Sequence, residues 1–365
     1  MIWRYSMAAH RRAGVSVVIP VRGRVRLLAA LLTGLAEARA RCPEPTEVIV
    51  VDDSDPADAD RHRAACRRHD AAYLRGPRRV GAKRNLGARA ARFDLIAFVD
   101  SDCEADPDFL QHAAKALREA PRDVGAVAGP VDMIGTETAT LRLFRRTQEM
   151  HQPFAWPRAY DRITWAATAN LTVRAEAFEA VGGFAEDTLT IVGGEDVDLG
   201  VRMTKAGHAT ACAPGAVVYH SRQTGDSLLS IARRLFTYGR AAHWLNVRHP
   251  ERREPRLNPV SALAAVGAVA AAAAPATRGR SLWAVPAAAA ALLAQHAHRR
   301  RVPGDGATAV PGLVASTVLD WAFDAGEFVG AWQVGRPHYL FSRFGFMDDR
   351  TFVPRAAAAG TGEAA

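Results

Sequence analysis

The first hundred residues alternate short apolar runs with stretches of helical periodicity, and that alternation limits the fold more than any other feature of the chain. Val15–Pro20 (VSVVIP), Glu47–Val51 (EVIVV), Ala72–Leu74 and Leu95–Val99 (LIAFV) read as strands, and Leu27–Ala40, Ala57–His69 and Gly81–Arg92 as helices. The strand runs show no polar alternation, so both of their faces need cover, and a strand–helix–strand order joins neighbours in parallel. The prediction is an α/β chain with a mainly parallel sheet flanked by helices. Ligands on such sheets bind beyond the carboxyl ends of the strands, where this chain's polar residues gather.

The second half changes character. Thr168–Gly183 and Gly193–Gly207 are polar, glycine-rich segments around short helices, Ala216–Tyr219 is a strand leading into His220, and Leu228–Trp244 is a basic, aromatic helix. A charged stretch punctuated by proline, Arg248–Pro259, precedes two alanine-rich apolar segments, Val260–Ala274 and Leu282–Ala294. These shifts predict an α/β unit over 1–245, a C-terminal helical region over 246–355 and a low-complexity, disordered tail over 356–365.

The formal charge is +9, which favours phosphate-bearing or anionic partners without choosing between nucleic acid, nucleotide and lipid headgroup. Cys42, Cys66, Cys103 and Cys212 form no CxxC pair, so reduced thiols are expected rather than a disulfide framework or a structural zinc site. The N-terminus has no long apolar stretch of the secretory kind before VSVVIP, so the catalytic part is expected in the cytoplasm.

Acidic residues mark the strand ends. Asp100-Ser101-Asp102 follows LIAFV directly, and alternate side chains share a face, so the two carboxylates can converge on magnesium or manganese, or simply cap the next helix. Val51-Asp52-Asp53-Ser54 fits a helix cap or a carboxylate accepting from a nucleobase or ribose. Gly81-Ala82-Lys83-Arg84-Asn85-Leu86-Gly87 offers cations at a helix start, to phosphate, to base edges or to solvent. Gly193-Gly194-Glu195-Asp196-Val197-Asp198 sets carboxylates behind two glycines, as a general base or an ordinary helix start. His220 suits a metal ligand or a strand-end histidine. Phe154, Trp156 and Trp165 suit an acceptor cleft or a core.

Order and spacing together decide among these readings. VSVVIPVRGR, VIVVDDSD, GAKRNLGARAA, AFVDSDCEADPDFL, TANLTVRAEAFEAVGGF, GGEDVDLGVRMTKAG and VVYHS follow one another as in the family 2 inverting glycosyltransferases of GT-A fold, which the chain resembles over about Val15–Arg240. The resemblance implies a GT-A sheet and transfer of a sugar from a nucleoside diphosphate donor (UDP first, GDP or dTDP as alternatives) to an acceptor hydroxyl. It implies Pro20 and Arg22 at the base pocket, Asp53 on the nucleobase, Arg84 at the base or diphosphate and Asp100 at the ribose. It implies Asp102 and His220 on a divalent cation (Mn or Mg), Asp196 as the catalytic base, and Glu195 and Asn170 near the acceptor. The chain departs from many relatives in reading Pro-Val-Arg-Gly-Arg where they carry an aromatic residue and an asparagine. It lacks the Gln-x-x-Arg-Trp signature of processive relatives; Ala232-Arg233-Arg234-Leu235-Phe236-Thr237-Tyr238-Gly239-Arg240 is similar to the Arg-Phe-x-Tyr-Gly-Arg segment of non-processive bacterial ones.

The apolar segments contain no charge, and Arg252, Arg253, Arg256 and Arg299–Arg301 outnumber Arg278 and Arg280 between them. That asymmetry predicts a shallow membrane hairpin with both ends cytoplasmic, at the inner face of the plasma membrane, and Val318–Trp332 reads as a re-entrant or interfacial helix. A sugar-nucleotide nucleotidyltransferase would share the sheet and carboxylates, but VIPVRGRVR poorly matches its glycine-rich loop. A nucleic-acid binder predicts basic and aromatic residues on an exposed sheet rather than acids at strand ends, and nucleic acid is not an expected partner.

Overall fold

The structure is a computed structural model that describes residues 11–147, 151–186, 193–221, 227–299, 310–348 and 350–355. The expected disordered tail, the first ten residues, Arg300 and Arg301 lie outside the described residues.

The expected strands and helices of the first hundred residues form in order. They are β1 (Arg12–Val21), α1 (Val25–Arg41), β2 (Thr46–Asp52), α2 (Pro56–Arg68), β3 (Ala72–Arg75), α3 (Val80–Ala90) and β4 (Phe93–Val99). β3, β2, β1 and β4 lie side by side in parallel. Their side chains divide by parity. Val15, Val17, Ile19 and Val21 pack into one core with Leu28, Leu31, Leu32 and Leu35 of α1, while Val18 enters a second core on the opposite face. An unbroken apolar strand therefore serves two cores, as a sheet covered on both faces requires. Gly87 of α3 lies so close to Val18 and Val51 that a Cβ there would come within 2.4 Å of Val18.

The chain then builds β5 (Cys103–Ala105), α4 (Phe109–Glu119), β6 (Val124–Ala128), β7 (Val131–Ile134), α5 (Ala139–Arg145), α6 (Gln152–Ala159), β8 (Tyr160–Ile163) and β9 (Asn170–Arg174). The segment expected around a short helix at Thr168–Gly183 is thus a strand, β9, followed by α7 (Ala175–Ala180). β9 runs antiparallel between β4 and β6, so the sheet is mixed on this side. Next come α8 (Glu195–Lys205), β10 (Ala209–Cys212), β11 (Val218–Ser221) and α9 (Leu228–Arg248). β11 pairs with β5 and β7 in a separate three-stranded sheet that sets His220 opposite Cys103.

The remaining elements are β12 (Arg253–Pro255), α10 (Pro259–Thr277), α11 (Ala284–Arg299), α12 (Val310–Gln333), β13 (Ser342–Phe344) and β14 (Val353–Pro354). The expected boundary at 245 falls inside α9. The chain also returns at β14, which pairs with β8 and forms the edge of a nine-stranded sheet ordered β14-β8-β10-β6-β9-β4-β1-β2-β3. Residues 246–355 are therefore partly woven into the catalytic sheet rather than set apart from it.

α12 departs from the interfacial helix expected at Val318–Trp332. It packs along α9, and the acids interrupting its apolar pattern turn inward. Asp324 and Glu327 are buried and meet Arg256 at 2.9 and 3.6 Å, while Asn258 donates to Glu327. Glycines bring the two helices together: a Cβ on Gly239 would lie 2.0 Å from the Phe323 carbonyl oxygen, and one on Gly326 2.1 Å from that of Phe236.

α10 and α11 differ from this. Val269 is 70% exposed on α10, and Trp283, in the turn between the helices, is 76% exposed. Among the described residues one helix, Pro259–Thr277, is long and apolar enough to cross a bilayer; α11 is shorter, at 16 residues. The flanking arginines do not all face outward as the hairpin reading supposed. Arg252 pairs with Asp348 at 3.1 Å, Arg256 with Asp324, and Arg253 lies over the Tyr339 ring.

Gly239→Ala should lower stability by about 1–3 kcal/mol, because the added methyl meets backbone that cannot give way. Gly267→Ala, in α10 with open space around it, should leave stability unchanged or raise it by about 1 kcal/mol through helix propensity. Chemical denaturation of the two variants checks the pair.

Candidate active site

Two strand ends and the start of α3 supply the first wall. The β1–β2 register sets Pro20 beside Val51 and Val21 beside Asp52, which brings Arg22 and Asp53 together just beyond the sheet. Asp53 receives a close ion pair from Lys83 of α3, and its other oxygen lies 3.9 Å from Arg22. Lys83 also donates to the Val21 carbonyl; burial pushes its pKa down and the Asp53 carboxylate opposes that shift. Asp52 faces away, into a buried cluster in which Ser54 N, the Tyr73 hydroxyl and the His62 ring all meet it. Ser54 in turn accepts from Gly23 N at 2.7 Å, fixing the turn after β1.

The second group converges on one arginine. Arg84 is 3% exposed; its Nη2 donates to Asp100 Oδ1 at 2.7 Å and its Nη1 to Glu195 Oε1 at 3.0 Å. Burial alone would raise the Asp100 pKa, but the charge and hydrogen bond of Arg84 more than reverse it, leaving that carboxyl below its ordinary value. Asp196 stands differently. Burial, reinforced by the charge of Glu195, raises its pKa to about 7, against a backbone N–H donated by Val197 at 2.8 Å. Two left-handed glycines, Gly193 (φ 118°) and Gly194 (φ 88°), open α8 immediately before this pair. A side chain at Gly193 would strike the Tyr238 ring, its Cβ coming within 2.8 Å.

α8 is held by Asp198, one turn on. This carboxylate is wholly buried and receives Arg202 at 2.8 Å, Arg248 at 2.7 Å and His249 at 2.9 Å. Burial opposes its ionisation, yet His249 and the two arginines hold its pKa at about 2. Arg202 also reaches the carbonyls of Val181 and Gly183. The turn that opens α8 is thereby tied both to α9 and to the loop before it.

The third group is Asp102, His220 and Arg24. Pairing of β11 with β5 brings His220 Nε2 to 3.5 Å from Asp102 Oδ2, and Ser221 N donates to the Asp102 carbonyl at 2.8 Å. His220 Nδ1 lies 2.9 Å from the Ser221 carbonyl, a contact in which only the ring can donate. Nε2 of a neutral ring thus carries its lone pair towards Asp102. A carboxylate oxygen beside an imidazole lone pair suits manganese or magnesium with phosphate and water completing the shell, so these residues fit the expected cation. No group of three or more His, Cys, Asp or Glu side chains placed to hold a metal ion occurs among the described residues. Arg24 Nη1 lies 2.9 Å from the same Asp102 oxygen.

These groups line one cleft of about 1320 Å³. Its other walls are Arg233, Arg234, Thr237 and Tyr238 of α9, Phe154, Trp156 and Trp165, and Phe344–Met347. The structure thus brings together Pro20, Arg22, Arg84, Asp100, Asp102, Glu195, Asp196 and His220, with Asp53 adjoining through Lys83. Asn170 does not join them. Its side chain is buried and its amide donates to the carbonyls of Pro130 and Ala216 at 2.9 and 2.7 Å, so it clamps two loops rather than facing an acceptor. Sequence reasoning missed Arg24 and the Phe344–Met347 wall. Arg24 stood inside VSVVIPVRGR, where its left-handed backbone could not be read; the other wall carried no motif.

A family model, "Glycosyl transferase family 2", matches residues 16–182. Pre-mycofactocin glycosyltransferase of Mycobacterium tuberculosis is 32% identical over 259 residues, covering 69% of this chain and 51% of that protein. Validoxylamine A glucosyltransferase of Streptomyces hygroscopicus subsp. limoneus is 31% identical over 225 residues, covering 52% and 47%. The chain therefore spans about half the length of the curated relatives it matches. Among solved structures, mannosyltransferase PcManGT from Pyrobaculum calidifontis, in complex with GDP-Man and Mn2+, superposes with a TM-score of 0.55 at 20% identity and covers 88% of each chain. Its likeness concerns the fold. The ordered motifs, the matched family model and the relatives agree with the mixed sheet and its strand-end carboxylates, and the chain belongs to glycosyltransferase family 2, with the GT-A fold.

Proposed function

We propose that the chain is an inverting glycosyltransferase that moves a sugar from a nucleoside diphosphate donor to an acceptor hydroxyl. The observation that carries this reading is the double ion pair of Arg84. One buried guanidinium joins Asp100 of the Asp-Ser-Asp motif to Glu195 beside Asp196, so donor-binding carboxylates and a candidate base share one cleft.

On this reading the donor base lies by Pro20, Arg22 and Asp53, with Asp100 towards the ribose. A divalent cation held by Asp102 and His220 would supply positive charge to the departing diphosphate, as Mn2+ accompanies GDP-Man in the Pyrobaculum protein. Arg233 and Arg234 line the cleft and favour the same developing charge. Asp196 accepts the proton of the acceptor hydroxyl as that oxygen attacks the anomeric carbon opposite the leaving group, inverting the centre. A pKa near 7 suits this work, since such a group is largely unprotonated just above neutrality and still basic enough to take a proton.

The nucleotide stays open between UDP, GDP and dTDP, and the acceptor between cell-surface glycan, glycolipid and secondary metabolite. The missing processive signature supports one sugar, or a few, per acceptor. The exposed apolar surface of α10 and the turn at Trp283 supports association with the cytoplasmic face of a membrane; since Arg252 and Arg256 are engaged internally, apolar contact rather than the flanking charge would carry it.

Asp196→Asn should reduce turnover by about 10²–10⁴-fold while leaving binding of the nucleoside diphosphate within twofold, measured by diphosphate release from UDP-, GDP- and dTDP-sugars and by calorimetry; normal transfer by this variant would remove Asp196 as the base. The wild-type kcat/KM should rise with pH through about 7, because the base acts only after losing its proton. The intact chain should float with phosphatidylglycerol-containing liposomes, and Trp283→Ser with Val269→Asp should weaken that by at least tenfold. Recovery of all wild-type protein in the aqueous fraction would exclude the membrane reading.

A further inference from the structure

We propose that Arg24 is a resident counter-ion of Asp102 that yields its place when cation and donor diphosphate arrive together, so that cation binding depends on the nucleotide. The inference rests on Asp102 and His220 being the cation ligands, as proposed above.

The two carboxylates of Asp100-Ser101-Asp102 each carry a different arginine, and the two arginines are held in different ways. Arg84, on Asp100, is buried, bound at two ends and set against the Phe184 ring at 5.4 Å. It is a fixed part of the fold. Arg24, on Asp102, has a side chain 39% exposed while the carboxylate it meets is 4% exposed. A shielded carboxylate gains much from a neighbouring cation, and a guanidinium half in water loses little by leaving.

The backbone makes the placement deliberate rather than a chance surface contact. Arg24 sits in the left-handed region at φ 60°, directly after Gly23, also at φ 60°. Arginine pays for this conformation where glycine would not. The position caps α1 without a side-chain hydrogen bond to the helix, so capping does not account for its residue type. Ser54 pins the turn from the far side through Gly23 N. The result aims a long cationic side chain that lines the cleft at the oxygen that also faces His220, 3.5 Å away.

In the donor-free chain, then, a divalent cation must compete with a guanidinium already on its carboxylate. When the diphosphate enters, it offers Arg24 an alternative anion in the same cleft, and Asp102 is released. Charge is conserved in each state: Asp102 keeps a positive neighbour throughout.

Mn2+ binding to the intact chain, followed by electron paramagnetic resonance, tests this without turnover. Arg24→Gly relaxes the left-handed backbone and Arg24→Met keeps the length without the charge, so the pair separates folding from charge. Both should bind Mn2+ at least tenfold more tightly than wild type in the absence of nucleotide, and added UDP or GDP should strengthen Mn2+ binding less than it does in wild type. Arg24→Lys should retain the wild-type pattern. If neither variant gains Mn2+ affinity without nucleotide, while Mn2+ still binds with it, Arg24 is not the counter-ion. If Asp102→Asn leaves Mn2+ binding intact, the cation assignment itself fails, and the proposal with it.

Discussion

The buried guanidinium of Arg84 is the interaction on which the site depends. It comes from α3, meets Asp100 at the end of β4 and reaches Glu195 at the start of α8, so three elements distant in sequence are held at one point. Its desolvation is offset only because two carboxylates lie on it, and removing either would leave a charge buried without its full complement. Asp196, next to Glu195, feels the consequence. Burial, reinforced by the charge of Glu195, raises the Asp196 pKa. The ion pair of Arg84 with Glu195 thereby sets the candidate base beside the Asp-Ser-Asp motif.

Around that point, charges are assigned by what the backbone can hold. Lys83 is spent on Asp53, Arg24 on Asp102, and Arg202 and Arg248 on Asp198. The 47 lysines and arginines therefore do not form one free basic surface. Several of them pair with carboxylates at the strand ends and in α8, and the arginines beside the apolar segments are partly drawn into the fold by Asp324, Glu327 and Asp348. The acids of α12, which read as polar interruptions of an interfacial helix, are the reason: buried between α12 and the start of α10, they need cations, and Arg256 supplies one.

The parallel strands were legible because a sheet covered on both faces demands unbroken apolar runs, and β1, β2 and β4 have them. β9 was harder to see, since Asn-Leu-Thr-Val-Arg mixes polar with apolar residues; Thr172 is buried nonetheless, because the strand lies between β4 and β6. The site motifs were legible through their order, including Asp196 and His220. Asn170 misled because a position matched by resemblance carries no direction for its side chain, and its amide donates to the carbonyls of Pro130 and Ala216. The glycines of α9 and α12 carried a signal, Gly326 and Gly330 spaced four apart, but only the facing Gly239 shows that they make a helix–helix contact.

By itself, then, the sequence determined the α/β class, the order of the strands that carry the carboxylates and the family to which those motifs belong, because these follow from local patterns of burial and from fixed spacing along one chain. Only the tertiary structure decided which charges meet: Arg84 with both Asp100 and Glu195, Arg24 with Asp102, the C-terminal strand β14 with β8. Such pairings depend on distances between elements far apart in the chain, and a side chain's partner is set by where the backbone aims it.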